Sequence, residues 1–261
     1  MAIGIGRSWS VGATARRWLE RAVPWRRAAV DLLFPPRCAL CDADLVDTED
    51  GLLLCGSCQG GLAPQEWLGC PRCGDAAPPN IRHGRTCHTC RGMRLHFDTV
   101  VPLGSYHGPL KQVVLKMKRA SGDPLSAAMG QFFVRRRGAQ IASFRPDVVI
   151  PVPMHWRRRW VRRTNSPDLL AEALGRFLRV RVLDRVLRCC RNTPPQKDLK
   201  PMQRFANVRD AFRLAAGHDL RGARVLLVDD VLTTGATCSE AAKLVKCRAG
   251  VETVVVAVLA R

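Results

Sequence analysis

The sequence predicts an α/β protein with a mainly parallel sheet flanked by helices, preceded by a small cysteine-rich module. Two observations support this fold class. After residue 95, short apolar segments alternate with amphipathic segments of about ten to fifteen residues, which is the pattern of βαβ units. Before that point, eight of the twelve cysteines form regularly spaced pairs. With 261 residues, the chain is long enough for one core of ordinary size and one small appended module.

Residues 1–34 are predicted to form a basic, partly helical leader. They contain arginine and tryptophan throughout and no continuous apolar run, so we expect neither a signal peptide nor stable membrane insertion. Arg16–Glu20 and Arg26–Phe34 are compatible with short basic amphipathic helices that contact an anionic membrane. We favour the alternative in which the apolar end of the leader packs on the next module. The expected location is the cytoplasm.

Residues 35–95 are predicted to form a double zinc ribbon. Four C-x-x-C pairs occur here, and thirteen residues separate Cys41 from Cys55 and also Cys73 from Cys87, so the motif C-x2-C-x13-C-x2-C is repeated. Two thiolates three residues apart fit one tight turn, and two such turns complete a tetrahedron of sulfurs about 2.3 Å from one zinc ion. We therefore predict two structural zinc sites with eight ligands: Cys38, Cys41, Cys55, Cys58, Cys70, Cys73, Cys87 and Cys90.

Redox or disulfide chemistry and a catalytic metal are the less favoured uses of these cysteines. A four-sulfur site is usually a closed structural site, and the expected reducing cytoplasm would leave the thiols available for metal. His83 and His88 lie in the second repeat as alternative ligands, but with four cysteines in each repeat we expect both on the surface. Sequential pairing within each repeat is the simpler arrangement, and crossed pairing stays open.

Residues 96–261 are predicted to contain the sheet and its helices. Capping residues and prolines mark the helix starts, and glycine marks a helix end. Strands are predicted in FDTVVPLGSYHG, RPDVVIPVPMHW, VRVLDRVLR, RVLLVDD and VETVVVAVLAR; helices are predicted in PLKQVVLKMKRA, DPLSAAMGQFFVRRRGAQIA with a cap at Asp123, SPDLLAEALGRFL, and TGATCSEAAKLVKCRAG, which ends at Gly250.

The segment VLLVDDVLTTGAT, residues 225–237, is the strongest candidate for a binding site. An apolar strand runs into two adjacent carboxylates and then into a loop that opens a helix, which is where open α/β sheets bind ligands. Peptide N–H groups at a helix start suit a phosphate, while carboxylates suit sugar hydroxyls or a magnesium ion that bridges to the ligand. The pattern indicates a ribose 5-phosphate held by Asp229, Asp230, Thr233, Thr234, Gly235, Ala236 and Thr237.

Two other interpretations of this segment compete with a sugar phosphate site. A strand that ends in Asp-Asp is compatible with the Walker B end of a nucleoside triphosphatase, but the chain contains no G-x-x-x-x-G-K-[ST] motif. An ordinary strand, turn and helix cap without any ligand stays open.

The charge balance predicts a polyanionic partner. Lysine and arginine number 42 against 22 aspartates and glutamates, which gives a formal net charge of +20. Such an excess suits a nucleic acid or several phosphate groups. A solvated basic surface without a partner is an equally weighted alternative.

The sequence also resembles a known family. VLLVDDVLTTGAT is similar to the phosphoribosyl diphosphate (PRPP) loop of type I phosphoribosyltransferases, and the chain from residue 32 onward is similar to the ComF family. That family is a competence-associated branch with an N-terminal cysteine-rich module. The resemblance rests on LLFPPRCALC, LCGSC, CPRCG, FDTVVPLGSYHGPLKQVVLKMK, DVVIPVPMHWRRR, TPPQKDL, NVRDAF and the PRPP loop, in that order. It implies a type I phosphoribosyltransferase-like domain over residues 96–261.

The resemblance also implies roles for individual residues. Asp229 and Asp230 would hold the ribose hydroxyls, and the loop from Thr233 to Thr237 would hold the 5-phosphate. Magnesium would lie between the diphosphate and the protein, and three arginines would face the diphosphate: Arg157, Arg158 and Arg159. In related enzymes a nitrogen nucleophile displaces diphosphate from C1 of the sugar, and the protein mainly neutralises the leaving group.

The chain departs from the family in the loop that would close over the diphosphate. Where the family usually has R-G-F-N-Q, this sequence has R-R-T-N-S at residues 162–166, and Asp210 stands where glycine is common. Two functions therefore stay open. In one, the domain binds PRPP while the zinc ribbon and the basic surface hold single-stranded or structured DNA, with Trp156 and Trp160 stacking on bases. In the other, the protein is an active phosphoribosyltransferase that transfers ribose 5-phosphate from PRPP to an unknown nitrogen acceptor.

Overall fold

The structure is a computed structural model that describes residues 34–45, 51–62, 66–76, 87–156, 160, 165–193 and 201–261. Of the predicted leader, only Phe34 falls within these ranges, and its side chain is exposed. The short helices considered for Arg16–Glu20 and Arg26–Phe34 therefore lie outside the described residues, apart from Phe34 itself.

The described strands form one parallel sheet and one small antiparallel pair. The sheet has five strands: β1 (Thr99–Gly104), β2 (Val148–Pro151), β3 (Arg181–Val182), β6 (Arg224–Val231) and β7 (Thr253–Ala260). The antiparallel pair consists of β4 (Leu187–Cys189) and β5 (Phe212–Leu214). The order in the sheet is β1-β7-β6-β2-β3, and every neighbouring pair in it is parallel, which confirms the predicted α/β class.

Six helices lie in the described residues: α1 (Gly56–Leu62), α2 (Gly108–Met117), α3 (Asp123–Ser143), α4 (Ser166–Leu178), α5 (Pro201–Val208) and α6 (Ala236–Ala249). α2, α3 and α4 pack on one face of the sheet, and α6 packs on the other face together with the β4–β5 pair. Within the described ranges, no helix combines the length and the apolar character that crossing a bilayer would require.

The central strand β6 explains why the fold forms around the candidate loop. Leu226 and Val228 belong to the core on one face, whereas Val225 and Leu227 belong to the core on the other. A strand that is buried on both faces reads as a continuous apolar run, as observed in parallel sheets. Because the apolar run stops at Asp229, the acidic pair is placed at the carboxyl end of the sheet.

Local signals set most helix boundaries, with one correction. α2, α3 and α4 each have proline in the first turn, where a missing N–H costs nothing. The predicted cap at Asp123 is wrong, because Gly122 is the N-cap and Asp123 lies in the first turn of α3. α6 ends at Gly250, as predicted; this residue has φ +67°, which glycine adopts without strain.

The cysteine-rich module consists of two halves that dock at different places. The first ribbon, residues 34–45 and 51–62, contributes Leu52, Leu54 and Leu62 to the core shared with α2 and α3. The second ribbon, residues 66–76 and 87–91, lies against β1 and the carboxyl end of β7.

The edge strand β1 has polar partners on its open side. Its Val100 N–H donates to the Pro71 carbonyl of the second ribbon at 3.0 Å. Arg137 of α3, only 3% exposed, donates from Nη2 to the Leu103 carbonyl at 3.1 Å. Backbone groups that β1 cannot share with another strand are thus bonded by the ribbon and by a buried arginine.

Candidate functional site

The eight predicted zinc ligands lie in two clusters of four. Within each cluster, every Sγ atom lies within 4.8 Å of the others. Cys41 Sγ is 3.7 Å from Cys55 Sγ, and Cys73 Sγ is 3.5 Å from Cys87 Sγ. Four sulfurs arranged tetrahedrally at about 2.3 Å from zinc lie about 3.8 Å apart, so both clusters fit the ion. The grouping is sequential: Cys38, Cys41, Cys55 and Cys58, then Cys70, Cys73, Cys87 and Cys90.

The local structure favours the thiolate form of the first cysteine in each cluster. Burial opposes the charge on Cys38, but backbone N–H groups, with that of Cys55 the largest contributor, outweigh it and lower the pKa of Cys38 to about 6. Burial likewise opposes the charge on Cys70, and N–H groups led by that of Cys73 lower its pKa to about 7. Because zinc binds thiolates, these turns favour the metal-bound form. The chain therefore has two closed four-sulfur sites for structural zinc.

A second candidate site is a cleft of about 810 Å³ at the carboxyl end of β6. One wall contains Asp229 and Asp230 from the end of the strand and Thr233 and Thr237 from the loop and the start of α6. The segment Val152–His155, which follows β2, also lines the cleft. Parallel strands that end side by side leave such a crevice outside their carboxyl ends.

Residues 234–236 form the centre of the loop. They determine its backbone conformation, and their side chains do not line the cleft. Gly235 has φ +79°, and a Cβ added there would lie 3.2 Å from the Phe97 ring. The residue is therefore glycine for two reasons, its backbone conformation and its close packing. Ala236 is buried, and Thr234 Oγ1 accepts a hydrogen bond from the Ala236 N–H at 3.4 Å. Of the five predicted phosphate-binding residues, Thr233 and Thr237 thus reach the cleft directly.

The two aspartates have different surroundings. Asp229 Oδ1 accepts the Asp230 N–H at 2.8 Å, and its Oδ2 accepts from the Cys238 thiol at 3.6 Å. Burial, together with the negative charge of Asp230, raises the pKa of Asp229 to about 8. Lys118 Nζ lies 2.9 Å from Asp230 Oδ2, with the two side chains 28% and 17% exposed. The two carboxyl groups are therefore not equivalent: burial favours a proton on Asp229, whereas Asp230 is paired with Lys118.

We expect Asp229→Asn to stabilise the ligand-free protein above neutral pH. The ordinary pKa of 3.8 applies when the chain is unfolded, so folding costs free energy once the pH exceeds 3.8, and that cost grows until about pH 8. Removing the charge removes the cost, and each kcal/mol gained raises Tm by roughly 2–4 °C. Thermal unfolding at pH 4 and pH 9 measures the difference.

Asp147→Asn is the matched control for this pH dependence. Asp147 is exposed and accepts bonds from the Arg224 guanidinium, which lowers its pKa. Its contribution to stability is therefore present above the ordinary pKa and lost as the pH falls, so its replacement should not stabilise the protein at pH 9. A Tm of Asp229→Asn that stays equal to the parent's at pH 9 would contradict the buried-charge explanation.

The predicted diphosphate-facing residues Arg157, Arg158 and Arg159 lie outside the described residues, as do residues 162–164 of the altered closing loop. Their neighbours are described. His155 lines the cleft, whereas Trp156 and Trp160 are 57% and 82% exposed. Asn165 also lines the cleft, and its Nδ2 donates to Asp168 Oδ1 at 2.6 Å.

Sequence reasoning missed several residues that the structure places at the cleft. Lys118 is the most important, because it forms an ion pair with Asp230 although it lies just beyond the end of α2. Tyr106, Arg204 and Phe212 also line the cleft. The sequence signal for Lys118 was its place in the family motif VLKMK, but no local pattern indicated its partner.

Comparison with known proteins identifies two domain families in the chain. A model described as a double zinc ribbon domain matches residues 29–91, and a model described as a phosphoribosyl transferase domain matches residues 191–261. Competence protein F of Haemophilus influenzae is 32% identical over 231 residues, which cover 86% of this chain and 96% of that protein. The chain belongs to the ComF family.

Other relatives of this ComF-family chain carry a different name. The DNA utilization protein YhgH of Escherichia coli O6:H1 is 31% identical over 237 residues, covering 88% of this chain and 99% of that protein. Among solved structures, adenine phosphoribosyltransferase from Leishmania donovani matches 49% of this chain and 64% of that protein at 13% identity, with a TM-score of 0.26. The predicted ComF membership, double zinc ribbon and phosphoribosyltransferase-like domain are confirmed.

Proposed function

We propose that this ComF-family protein binds PRPP with magnesium at the carboxyl end of β6 and acts on or with single-stranded or structured DNA during uptake or transformation, in the cytoplasm. One observation carries the PRPP half of the proposal. Asp229 and Asp230 share a cleft wall with the loop that opens α6, so hydroxyl acceptors lie next to a helix start. The names of the relatives, competence protein F and DNA utilization protein, support the DNA half.

The chemistry of this wall suits a sugar phosphate with a free diol. Carboxylate oxygens accept hydrogen bonds from vicinal hydroxyls but repel phosphate, so the ribose belongs next to Asp229 and Asp230. The 5-phosphate belongs at the loop, where the first N–H groups of α6 lack carbonyl partners within the helix and the helix dipole favours negative charge. Thr233 and Thr237, which carry hydroxyl groups, line the same cleft.

The diphosphate requires positive charge at the part of the cleft away from the acidic pair. We propose that Arg157, Arg158 and Arg159 supply it. These arginines follow closely after His155 in the sequence, and His155 lines the cleft. The carboxylates of Asp229 and Asp230 are hard oxygen donors of the kind that magnesium accepts, so the residues present fit an ion carried in with the ligand. Such an ion would neutralise charge on the diphosphate.

Lys118 adds a positive charge at the position where the ligand would meet the acidic pair. Its ammonium group reduces the repulsion between the acidic pair and the highly negative PRPP, and its partly exposed side chain has room to reorient toward the ligand. We propose Lys118 as a PRPP-binding residue that pairs with Asp230 before the ligand arrives.

Calorimetry with PRPP and magnesium tests the binding half directly. Heat of binding is expected, and ribose 5-phosphate should bind more weakly because it keeps the diol and the 5-phosphate but lacks the diphosphate. The absence of any heat with PRPP and magnesium would contradict the proposal. We expect slow or absent turnover, since the closing loop has lost three family residues, so rapid diphosphate release with a simple base would favour the active phosphoribosyltransferase.

The DNA half rests on charge and exposed aromatic rings. The net charge of +20 suits a polyanion, and Trp156 and Trp160 present indole rings to solvent beside the three arginines in sequence. Exposed aromatic rings within a basic surface stack on unpaired bases without sequence preference. We therefore propose that residues 156–160 contribute to DNA binding.

Affinity for single-stranded DNA is expected to fall steeply with salt, with a slope of roughly −0.7 for each phosphate contact. Replacing Arg157, Arg158 and Arg159 by Ser should flatten the slope by about two units. Fluorescence anisotropy at several salt concentrations gives the slope. Replacing three exposed arginines elsewhere removes the same charge and should change it less: Arg145, Arg185 and Arg188. No binding at low salt, or equal flattening in both variants, would contradict the proposed surface.

A further inference from the structure

We propose that the second zinc ribbon holds the PRPP loop in position, and that Arg261 is the positioning residue that connects them. The inference rests on the proposed PRPP site and adds a structural role for one of the two metal centres. The first ribbon, which has the same ligand spacing, has no such role in the proposal.

The side chain of Arg261 joins the two parts directly. Arg261 follows β7 and is 11% exposed. Its Nε donates to the carbonyl of Cys73, a ligand of the second cluster, at 2.6 Å. Its Nη1 donates to the Leu232 carbonyl at 3.4 Å and to the Thr233 carbonyl. A single planar guanidinium therefore bonds the zinc knuckle on one side and the loop after β6 on the other.

The same guanidinium also lies near the acidic side chain of the second ribbon. Arg261 Nη2 is 4.0 Å from Asp75 Oδ1. Because arginine presents its donors in a fixed fork, these contacts restrict both the position and the direction of the loop. Lysine has one compact ammonium group and cannot reproduce the fork.

A second connection runs through the chain that leaves the ribbon. Met93 and Leu95 pack against the second cysteine cluster. Leu95 and Phe97 also lie close to Gly235, since a Cβ added there would be 3.4 Å from Leu95 and 3.2 Å from Phe97. The segment between the last zinc ligand and β1 is therefore packed between the metal centre and the turn that opens α6.

Hydrogen bonds fix this segment to the first turn of α6. The His96 N–H donates to Ser239 Oγ at 3.1 Å, and Ser239 Oγ donates to the Arg94 carbonyl at 3.2 Å. Ser239 is only 2% exposed. The start of α6, which carries the proposed phosphate site, is thus hydrogen-bonded to residues 94–96, the segment that follows the second ribbon.

The first ribbon makes its described contacts elsewhere. Lys116 of α2 donates to the Leu40 carbonyl at 3.3 Å, and Cys38, Leu52 and Leu54 join the core formed by α2 and α3. These contacts lie on the opposite face of the sheet from α6. The duplicated ribbon therefore supplies an internal control with the same ligand chemistry.

Zinc contributes the folding free energy of so small a ribbon. Without the second zinc, the Cys73 carbonyl and Asp75 would no longer be held beside Arg261, and the loop would lose its support on that side. A phosphate cradle built from backbone N–H groups depends on their positions to within about 0.5 Å. PRPP affinity should therefore depend on the second zinc and on Arg261.

The test compares four variants of the full chain. Cys87→Ser removes a ligand of the second cluster, and Cys55→Ser removes the equivalent ligand of the first. Arg261→Met removes the connecting guanidinium, and Arg224→Met removes a guanidinium that pairs with Asp147 at the other end of β6. Elemental analysis gives the zinc content, calorimetry gives PRPP affinity with magnesium, and amide hydrogen exchange without ligand reports on residues 229–239.

Cys87→Ser and Arg261→Met are expected to raise loop exchange and to weaken PRPP binding by at least tenfold. Cys55→Ser and Arg224→Met should change both by less than threefold. Arg261→Lys should give an intermediate result, which also keeps the test valid if Arg261→Met does not fold. Equal losses from Cys55→Ser and Cys87→Ser, or no change in Cys87→Ser, would overturn the proposal.

The exchange measurement separates this proposal from the proposed function. If the parent protein fails to bind PRPP, the proposed function is wrong. The difference in loop exchange between Cys87→Ser and Cys55→Ser would still show whether the second ribbon positions the loop.

Discussion

Elemental analysis of the reduced, unchelated protein is expected to give two zinc ions per chain. The chain brings its eight repeated cysteines into two clusters with all sulfurs of a cluster within 4.8 Å of one another. Structural zinc in small domains contributes on the order of 10 kcal/mol of apparent binding free energy, and this binding free energy is also folding free energy. Less than one zinc per chain would contradict the assignment.

Cys55→Ser is expected to lower the content to one zinc and to unfold the first ribbon. The parallel sheet should stay folded, because its core between β6, β7 and α6 does not include the first ribbon. Circular dichroism, together with limited proteolysis, distinguishes the two outcomes: cleavage restricted to residues 34–62 supports independent sites. Retention of two zinc ions in this variant would mean that the ligands are shared differently.

Asp230→Asn is expected to weaken PRPP binding at least tenfold. The variant keeps the size of the side chain but removes the charge of the proposed acceptor of a sugar hydroxyl, in a hydrogen bond worth about 1.5–3 kcal/mol. It also removes the partner of Lys118, whose ammonium group lies 2.9 Å from the carboxylate. Calorimetry with PRPP and magnesium measures the change.

Asp147→Asn is the control for this loss of charge. Asp147 pairs with Arg224 at the amino end of β6, away from the proposed ligand, and its replacement should leave PRPP affinity within about twofold. An Asp230→Asn variant that binds as tightly as the parent would exclude a direct contact between Asp230 and the ribose.

Local patterns in the sequence were sufficient to predict the fold class and the two proposed sites. The run from Val225 to Val228 is apolar because both faces of the strand are buried, and it ends at the acidic pair because the strand reaches the cleft there. The cysteine spacing likewise reflects a local turn. By contrast, α5 and β5 were not predicted, since the first has only eight residues and the second only three.

Contacts between distant parts of the chain could not be predicted from these patterns. Lys118 and Asp230 meet because α2 and β6 end at the same side of the sheet, and Arg261 contacts a residue 188 positions away. Nothing in the spacing of either residue indicates its partner. The two ribbons illustrate the same point, because they have identical ligand spacings and yet dock on different surfaces.

The position of β1 at the edge of the sheet gives the second ribbon a protective role as well. An uncovered edge strand is a template for pairing with another chain, and proteins cover such edges to avoid aggregation. Here the Val100 N–H is occupied by the Pro71 carbonyl. If the second ribbon unfolds when zinc is scarce, the edge of the apolar strand β1 becomes exposed. Zinc depletion would then remove the protein from solution through self-association, in addition to any loss of ligand binding at the cleft.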